Sequence, residues 1–506
     1  MHPFLKDVIL TSGTWVVVSI ESLVAISLLG HLMGPQAVAE YLLVRRVAAW
    51  LLTATLLGLG VGLPRYVAFA KPSSRDRQMY FWAAMACGVG VSLILLLVLN
   101  LEPQLSAKWL LGKTEFHYLV FPLSLLLLAQ AVNTIVFGYY RGCMRMNLAN
   151  TLSFLNFALI PLLPIIIFWR RNSIPLITTA TAVPMIAISV LLAWPVLLRL
   201  PSDARNVFSK TRELLHYGAP RVPGDVAMGA LLSLPPMIAA HYFALPQVAS
   251  MLLGIGVLTL VGTGVNPLNQ VLLAKISMVL SRNRWEEARR YVEYLSAAVL
   301  DISIFTCLQL VVFADVIVRL WVGPKFLDQM LLIRILLAAI PFYLFFTALR
   351  SAIDAASVKP LNARNVLIAL AVFAALVGAA VTVAPRAWLL DLIGASLLGA
   401  LIAVAAFTAR TLHDVYRVHF QWSRSFYALL LGAALGAISG GIRWAEGFRT
   451  SAVTLAVTEL IMIALFFGVL KKADTQWLEF VSTTLLRHRR VGVETVLTNS
   501  TVSSRG

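Results

Sequence analysis

Long runs of apolar residues, separated by short polar connections, dominate the chain. Each run extends over roughly 18 to 26 residues, which as a helix is long enough to cross the hydrocarbon core of a bilayer. The pattern predicts an all-α polytopic membrane protein with about fourteen transmembrane helices. The predicted spans are 8–33, 39–64, 79–101, 116–138, 150–169, 174–198, 221–243, 249–272, 296–318, 330–350, 365–384, 388–409, 425–443 and 451–470.

Composition supports a membrane protein. Among 506 residues, 59% are hydrophobic and 13% are charged, which is more apolar surface than a soluble core could bury. The first run, Val8–Met33, is too long for a signal-peptide core and is not followed by a cleavage site, so it predicts an uncleaved first helix. The net charge of +18 is scattered between the apolar runs rather than gathered on a face with aromatic residues, so we expect no nucleic-acid partner.

The distribution of lysine and arginine predicts the orientation, because these residues resist translocation. With a cytoplasmic N-terminus, about 28 of the 41 basic residues fall on the cytoplasmic side and about 9 outside. The expected location is the cytoplasmic membrane, with both termini cytoplasmic. The outer connections are short, the longest being 101–115, and a folded domain does not fit there. This argues against a membrane-bound glycan polymerase or ligase, which stays an alternative from another functional class.

An internal repeat divides the chain. Three sequence matches occur in order at an offset of about 210 residues, and they pair 31–39 with 241–249, 109–113 with 321–325, and 147–152 with 362–367. The offset equals six helices, so both copies enter the membrane in the same direction. We therefore predict two parallel six-helix lobes, 1–199 and 220–424, joined by a basic cytoplasmic linker, 200–219. An extra helix pair, 425–470, and a basic cytoplasmic tail, 471–506, follow. Paired lobes suit alternating access.

Several motifs resemble one family. They are the Gly34-Pro35 turn with Tyr41, the glycine-rich exit of the second helix (58–66), the Tyr217–Pro220 stretch and the Leu320–Phe326 loop. Together they resemble the polysaccharide flippases of the multidrug, oligosaccharidyl-lipid and polysaccharide exporter superfamily, over roughly residues 1–470. Lipid II flippases of similar size have a cluster of first-helix arginines, which is missing here, since Glu21 is the only charged residue inside that helix.

The resemblance implies a flippase that moves a lipid-linked oligosaccharide or a lipopolysaccharide or exopolysaccharide precursor without ATP. The implied partners are this lipid-linked glycan, membrane lipids, and a glycan polymerase or glycosyltransferases of the same pathway. The alternative within the superfamily is an ion-coupled multidrug antiporter. Drug exporters usually have twelve helices, so the extra pair favours a flippase.

Charged residues inside the spans are candidates for the site, because an ionised group in a bilayer needs water or a partner. Arg45 and Arg46, placed a little over one turn into the second helix, could bind a diphosphate. Arg221 at the start of the seventh helix is a further candidate for substrate binding. Glu21 and Asp225 are candidates for ion coupling. The structural alternatives are interface snorkelling for the arginines, a local Arg221–Asp225 pair, and an interhelical hydrogen bond for Glu21.

Asn266, Asn269 and Gln270 surround Pro267 in the glycine-rich eighth helix, where a break could expose backbone groups to substrate. The prolines of the seventh helix suggest a second kink. We therefore expect helices one, two, seven and eight to form the walls of the path. The structural alternative for Asn266, Asn269 and Gln270 is that they join helices by hydrogen bonds. The same role is expected of most other polar residues in the spans, which are Gln130, Asn133, Asp301, Gln309 and Asp354.

No sequence motif indicates catalysis or a cofactor. There is no Walker A loop, no nucleophile-and-base constellation and no metal-ligand spacing, so we expect no enzyme activity, catalytic residue, metal or cofactor. Cys87, Cys143 and Cys307 are too widely spaced to suggest a disulfide framework. The stretch 282–291 and the tail are predicted to lie on the anionic membrane surface.

Overall fold

The computed structural model describes residues 3–71, 75–199, 204–265, 272, 276–357, 359–420, 422–446 and 450–473. These residues are almost entirely helical and contain no strand. The helices of the first half and the linker are α1 (Pro3–Leu32), α2 (Pro35–Thr55), α3 (Leu59–Phe69), α4 (Arg75–Leu101), α5 (Pro103–Leu111), α6 (Val120–Gly142), α7 (Met146–Phe154), α8 (Leu162–Phe168), α9 (Ile174–Leu197) and α10 (Ala204–Gly218). The later helices are α11 (Val222–Tyr242), α12 (Leu245–Thr263), α13 (Trp285–Val312), α14 (Ala314–Trp321), α15 (Met330–Leu337), α16 (Ile340–Ala356), α17 (Leu361–Val383), α18 (Arg386–Tyr416), α19 (Trp422–Ala445) and α20 (Ala452–Ala473).

The helices confirm the predicted number of spans. Among the described residues, 12 helices are long and apolar enough to cross a membrane, and two bent pairs raise the number to 14. We call the side of the membrane predicted to be cytoplasmic the basic side, and the other the opposite side.

Two spans are bent rather than straight. The second consists of α2 and α3, which meet at an angle of 51°, and the tenth is bent by 41° before Ile340. In the second span, Leu57 and Gly58 adopt positive φ angles of 50° and 81°, which end one helix and begin another. In the tenth, Pro341 occupies the first turn of α16, where it needs no backbone donor. The seventh span, for which the prolines suggested a kink, is one unbroken helix through Pro235 and Pro236.

The internal repeat is visible in the structure. In each half, a short helix, α5 or α14, is followed by a glycine of positive φ, Gly112 at 96° or Gly323 at 102°. A 3-10 turn follows in both copies, Thr114–Leu119 and Pro324–Gln329. The predicted 101–115 connection is thus partly helical.

The two lobes meet along α2. In the N-terminal lobe, α6 packs against α2, α3, α4 and α9, and in the C-terminal lobe α16 and α17 pack against α18. Helix α2 packs directly on α11 and α12 of the other lobe, and the indole N–H of Trp50 donates to the Val226 carbonyl at 3.3 Å. A side chain on α2 can therefore face either lobe, depending on its position around the helix.

On the opposite side the lobes form two reciprocal contacts. A Cβ atom on Gly30 would lie 2.6 Å from the Val322 carbonyl oxygen, and one on Gly112 would lie 2.5 Å from the Ala240 carbonyl carbon. The end of α1 thus touches the C-terminal lobe where the end of α11 touches the N-terminal lobe. These contacts place the repeats in the same orientation, as the sequence predicted.

The extra helix pair is held to α13 and α14 by polar contacts. Arg424 of α19 pairs with Asp301 at 3.0 Å, Ser439 donates to Gln309 at 3.2 Å, and Arg443 pairs with Asp315 at 2.6 Å. The first two confirm the prediction that polar residues in the spans join helices.

The 282–291 stretch is placed differently from the prediction. Residues Trp285–Tyr291 are the first turns of the long helix α13 rather than a separate surface helix, because no residue there interrupts the backbone. Arg289 pairs with Glu286 at 3.3 Å and with Glu293 at 3.5 Å, so local ion pairs support the continuous helix. The tail beyond residue 473 lies outside the described residues.

Candidate functional site

A small cavity lies inside the N-terminal lobe. It is a partly open space between α2, α6, α9 and the segment that joins α7 to α8, with about 20 Å³ accessible to water. We call it the N-lobe cavity. Its lining includes the polar side chains of Tyr41, Arg45, Gln130, Asn156, Thr178 and Thr181.

Arg45 lies near the middle of α2 and faces this cavity. Helix α2 begins at Pro35 rather than at residue 39, so Arg45 lies ten residues, or about 15 Å, into the helix. The prediction that both arginines lie little more than a turn inside was therefore wrong: Pro35 already occupies the first helical turn, and the helix includes Gln36. The guanidinium of Arg45 donates to the Tyr41 hydroxyl, one turn earlier, at 2.5 Å.

Arg46 points toward the other lobe, because neighbouring positions on a helix are about 100° apart. Its backbone carbonyl accepts a hydrogen bond from Ser233 of α11 at 3.4 Å, and its guanidinium lies near enough to Tyr343 of α16 for the two groups to interact electrostatically. Within the described part of the chain, the Arg46 guanidinium forms no ion pair. The adjacent arginines thus serve two different surfaces of α2.

Glu21 is buried on α1 with an exposed fraction of 4%. Neither carboxylate oxygen has a hydrogen-bond partner among the described residues, so the predicted interhelical hydrogen bond is not seen there. Arg45 is the cation that acts on it electrostatically. Gln130, Asn156 and Thr178, on the cavity wall, also carry buried oxygens without a described partner. Several hard oxygen donors therefore lie in the interior of this lobe.

A π-helical segment, Leu155–Leu159, positions Asn156. Pro161 cannot donate to the residue 157 carbonyl, and the helix widens in the turn before it. The Asn156 amide donates to Asn133 at 2.7 Å and to Ser189 at 2.9 Å. Hydropathy does not reveal Asn156 as a cavity residue, although Pro161 and Pro164 mark an irregular helix.

Arg221 belongs to a cluster on the basic side. Its guanidinium carbon lies 4.4 Å from the ring centre of Tyr217, and that of Arg65 lies at the same distance of 4.4 Å from this ring. Arg65 also donates to the Tyr217 hydroxyl at 2.6 Å. We call Arg65, Tyr217 and Arg221 the arginine–tyrosine cluster. It joins α3, the linker helix α10 and the start of α11.

Asp225 is exposed in the first turn of α11. It does not form the predicted close ion pair with Arg221, which stacks on Tyr217 instead. The charged groups acting on Asp225 are Arg350, Asp354 and Arg221. Asn362 of α17 fixes this region by donating to the Arg350 carbonyl and to the Asp354 carboxylate, both at 2.8 Å.

The predicted site residues are therefore divided among three places. Arg45 and Glu21 belong to the N-lobe interior, Arg46 to the interface between the lobes, and Arg221 and Asp225 to the basic side. Asn266, Asn269 and Gln270 lie outside the described residues. Of the four helices predicted as path walls, spans two, seven and eight do meet, but the N-lobe cavity lies on the other side of α2, against spans four, five and six.

The fold defines a class, that of two-lobed helical membrane proteins. No protein-family model matches the chain, and no curated protein matches its sequence. Among solved structures, the chain is similar to the lipid II flippase MurJ in its inward closed conformation, with a TM-score of 0.72, 12% identity, and coverage of 92% of this chain and 99% of that chain.

Drug transporters have a similar fold. An inward-facing multidrug resistance MATE family transporter of the MOP superfamily matches with a TM-score of 0.63, 14% identity and coverage of 79% and 96%. A MOP superfamily transporter from Pyrococcus furiosus matches with a TM-score of 0.52, 14% identity and coverage of 85% and 96%. The chain thus has the fold of MOP-superfamily transporters, and these structural neighbours are transporters rather than enzymes.

Proposed function

We propose that the protein is a flippase that translocates a lipid-linked oligosaccharide or polysaccharide precursor across the cytoplasmic membrane by alternating access. The observation that carries the proposal is the pair Arg45 and Arg46, which lie about 15 Å from the start of α2, Arg45 beside the N-lobe cavity and Arg46 near Tyr343 of α16. A diphosphate and sugars crossing bare hydrocarbon would face a barrier of at least tens of kcal/mol. Guanidinium groups within the spans and water lower that barrier, because arginine binds phosphate through paired hydrogen bonds.

In this mechanism the glycan headgroup enters from the basic side while its lipid chain stays in the bilayer. The lobes, residues 1–199 and 220–424, then rock about the linker and expose the headgroup on the opposite side. Glu21 and Asp225 are the proposed coupling groups, and membrane potential or an ion gradient supplies direction. The unpartnered oxygens near Glu21 support an ion or proton site in the N-terminal lobe. Pathway enzymes that make or polymerise the glycan are the proposed partners.

An ion-coupled multidrug antiporter is the second candidate. It is favoured by one observation: Tyr41 and Arg45 line a cavity that lies within one lobe and has no room for a lipid-linked glycan. MATE transporters among the structural neighbours agree with this alternative.

Transport by the purified chain in proteoliposomes separates the two. We expect uptake of a fluorescent lipid-linked oligosaccharide and no efflux of cationic dyes. Arg45→Gln and Arg46→Gln should each slow glycolipid transport about tenfold or more, because a charge-assisted hydrogen bond contributes about 1.5 to 3 kcal/mol. Arg386→Gln, an exposed arginine on the opposite side, is the matched control. Dye efflux without glycolipid transport would establish the antiporter instead.

A further inference from the structure

Helix α16 carries a polar stripe on one face. Tyr343, Thr347, Arg350 and Asp354 follow one another at intervals of four, three and four residues, so they lie on the same side of the helix. We call these four residues the α16 stripe. The other side of α16 is apolar and packs into the C-terminal lobe through Phe345, Leu349 and Ile353. Thr347 is buried and Tyr343 packs against the core, whereas Arg350 is exposed, so packing explains the inner half of the stripe but not its charged outer half.

The inner end of the stripe lies within the predicted tenth span. Tyr343 packs on α12, where a Cβ atom added to Gly262 would lie 2.4 Å from its ring. Arg46 and Arg350 both act electrostatically on the Tyr343 hydroxyl. From Tyr343 to Asp354 the helix rises about 16 Å, roughly half of the hydrocarbon thickness. The stripe thus connects Arg46 with the basic side.

The outer end of the stripe meets the arginine–tyrosine cluster. The charges of Arg221 and Arg350 both act electrostatically on the carboxylates of Asp225 and Asp354. The guanidinium carbons of Arg65 and Arg221 are at most about 9 Å apart, since each lies 4.4 Å from the same ring centre. Arg65, Arg221 and Arg350 are exposed and form no close ion pair with a carboxylate of the described residues. Exposed cations held beside an aromatic ring are available to an anion.

We propose that the α16 stripe, with the arginine–tyrosine cluster at its outer end and Arg46 at its inner end, is the track along which the phosphate groups of the substrate move between the basic side and the membrane interior. This inference rests on the proposed function and adds the residues that receive the anionic part of the substrate. Arg65 and Arg221 make the first contact, Arg350 the second and Arg46 the last. Several moderate sites suit transport better than one tight site, because the group must also leave. Asp225 and Asp354 lower the affinity of the outer end of the track for the same reason.

Binding of inorganic pyrophosphate tests the track directly. The full-length protein in nanodiscs of zwitterionic lipid is titrated with radiolabelled pyrophosphate by equilibrium dialysis. Wild type should bind, and Arg221→Gln and Arg350→Gln should each weaken binding about tenfold, as expected for the loss of a charge-assisted hydrogen bond. Asp225→Asn should strengthen binding, because it removes a negative charge beside Arg350 and Arg221. Arg410→Gln is the matched control and should leave binding unchanged. Arg410 is an exposed arginine near the C-terminal end of α18, which also lies on the basic side.

Three further measurements define what would overturn the track. Arg350→Lys, which keeps the charge, should restore part of the affinity that Arg350→Gln loses, whereas equal loss in both would indicate a structural role. Unchanged affinity in Arg350→Gln and Arg221→Gln, with glycolipid transport intact in wild type, would refute the track alone. Absence of both pyrophosphate binding and glycolipid transport in wild type would refute the proposed function as well. Loss of pyrophosphate binding on adding phosphatidylglycerol to the nanodiscs would identify a site for bulk lipid headgroups and overturn the track.

Discussion

The ion pair between Asp301 and Arg424 is expected to determine whether the extra helix pair stays docked. Two guanidinium nitrogens of Arg424 donate to one carboxylate oxygen of Asp301, at 3.0 and 3.2 Å. The side chains are 3% and 11% exposed, so water screens the pair little. Removing one partner of a buried pair leaves an uncompensated charge and typically destabilises by about 3 to 5 kcal/mol.

Asp301→Asn and Arg424→Gln should therefore each lower the free energy of unfolding by about 3 kcal/mol. This is the lower end of the typical range, because the introduced amides keep some hydrogen bonding. The double variant has no uncompensated charge, so it should lose clearly less than both single variants together. We expect a coupling of about 2 kcal/mol.

The assay is unfolding of the purified protein by sodium dodecyl sulfate in mixed micelles, followed by tryptophan fluorescence. Asp414→Asn is the control, since the Asp414 side chain is 62% exposed. Its one ion-pair partner among the described residues is His413, at 3.6 Å. Purely additive losses in the double variant would refute the reasoning, because they would mean that the two charges do not depend on each other.

Three other predictions follow from the fold. Gly58→Ala should lower stability by about 2 kcal/mol or more, since φ is 81° and the added Cβ would lie 2.5 Å from Gly218, while Gly440→Ala, with nothing within 4 Å, should be nearly neutral in the same unfolding assay. Trp321→Phe removes the 2.8 Å hydrogen bond from the Trp321 indole to the Leu23 carbonyl, which joins the lobes. Double electron–electron resonance between spin labels at positions 108 and 247 should therefore show a larger population of long distances. An unchanged distance distribution would argue against a role of this bond in closure. Asn156→Ala should destabilise by about 2 kcal/mol because two buried hydrogen bonds are lost, and Ser189→Ala, which loses one of them, should cost about half as much.

The sequence by itself determined the spans and the repeat. Apolar length and the avoidance of charge depend only on neighbouring residues, so the fourteen spans and their order follow directly from the chain. The paired motifs, such as Trp109–Lys113 with Trp321–Lys325, predicted the parallel copies because each motif encodes a local turn, a short helix ending at a glycine of positive φ. The basic connections likewise predict an orientation without any knowledge of packing.

Only the tertiary structure decided where each polar side chain points. Arg45 and Arg46 are neighbours in sequence, yet one donates to Tyr41 beside the N-lobe cavity and the other faces the C-terminal lobe, because helix rotation and the packing partners of α2 set the direction. The distance of these arginines from the start of α2 depends on the helix beginning at Pro35, a position that the hydropathy pattern does not locate. Arg65, Tyr217 and Arg350 are separated by more than a hundred residues in the chain, and only helix packing brings them to one end of the lobe interface.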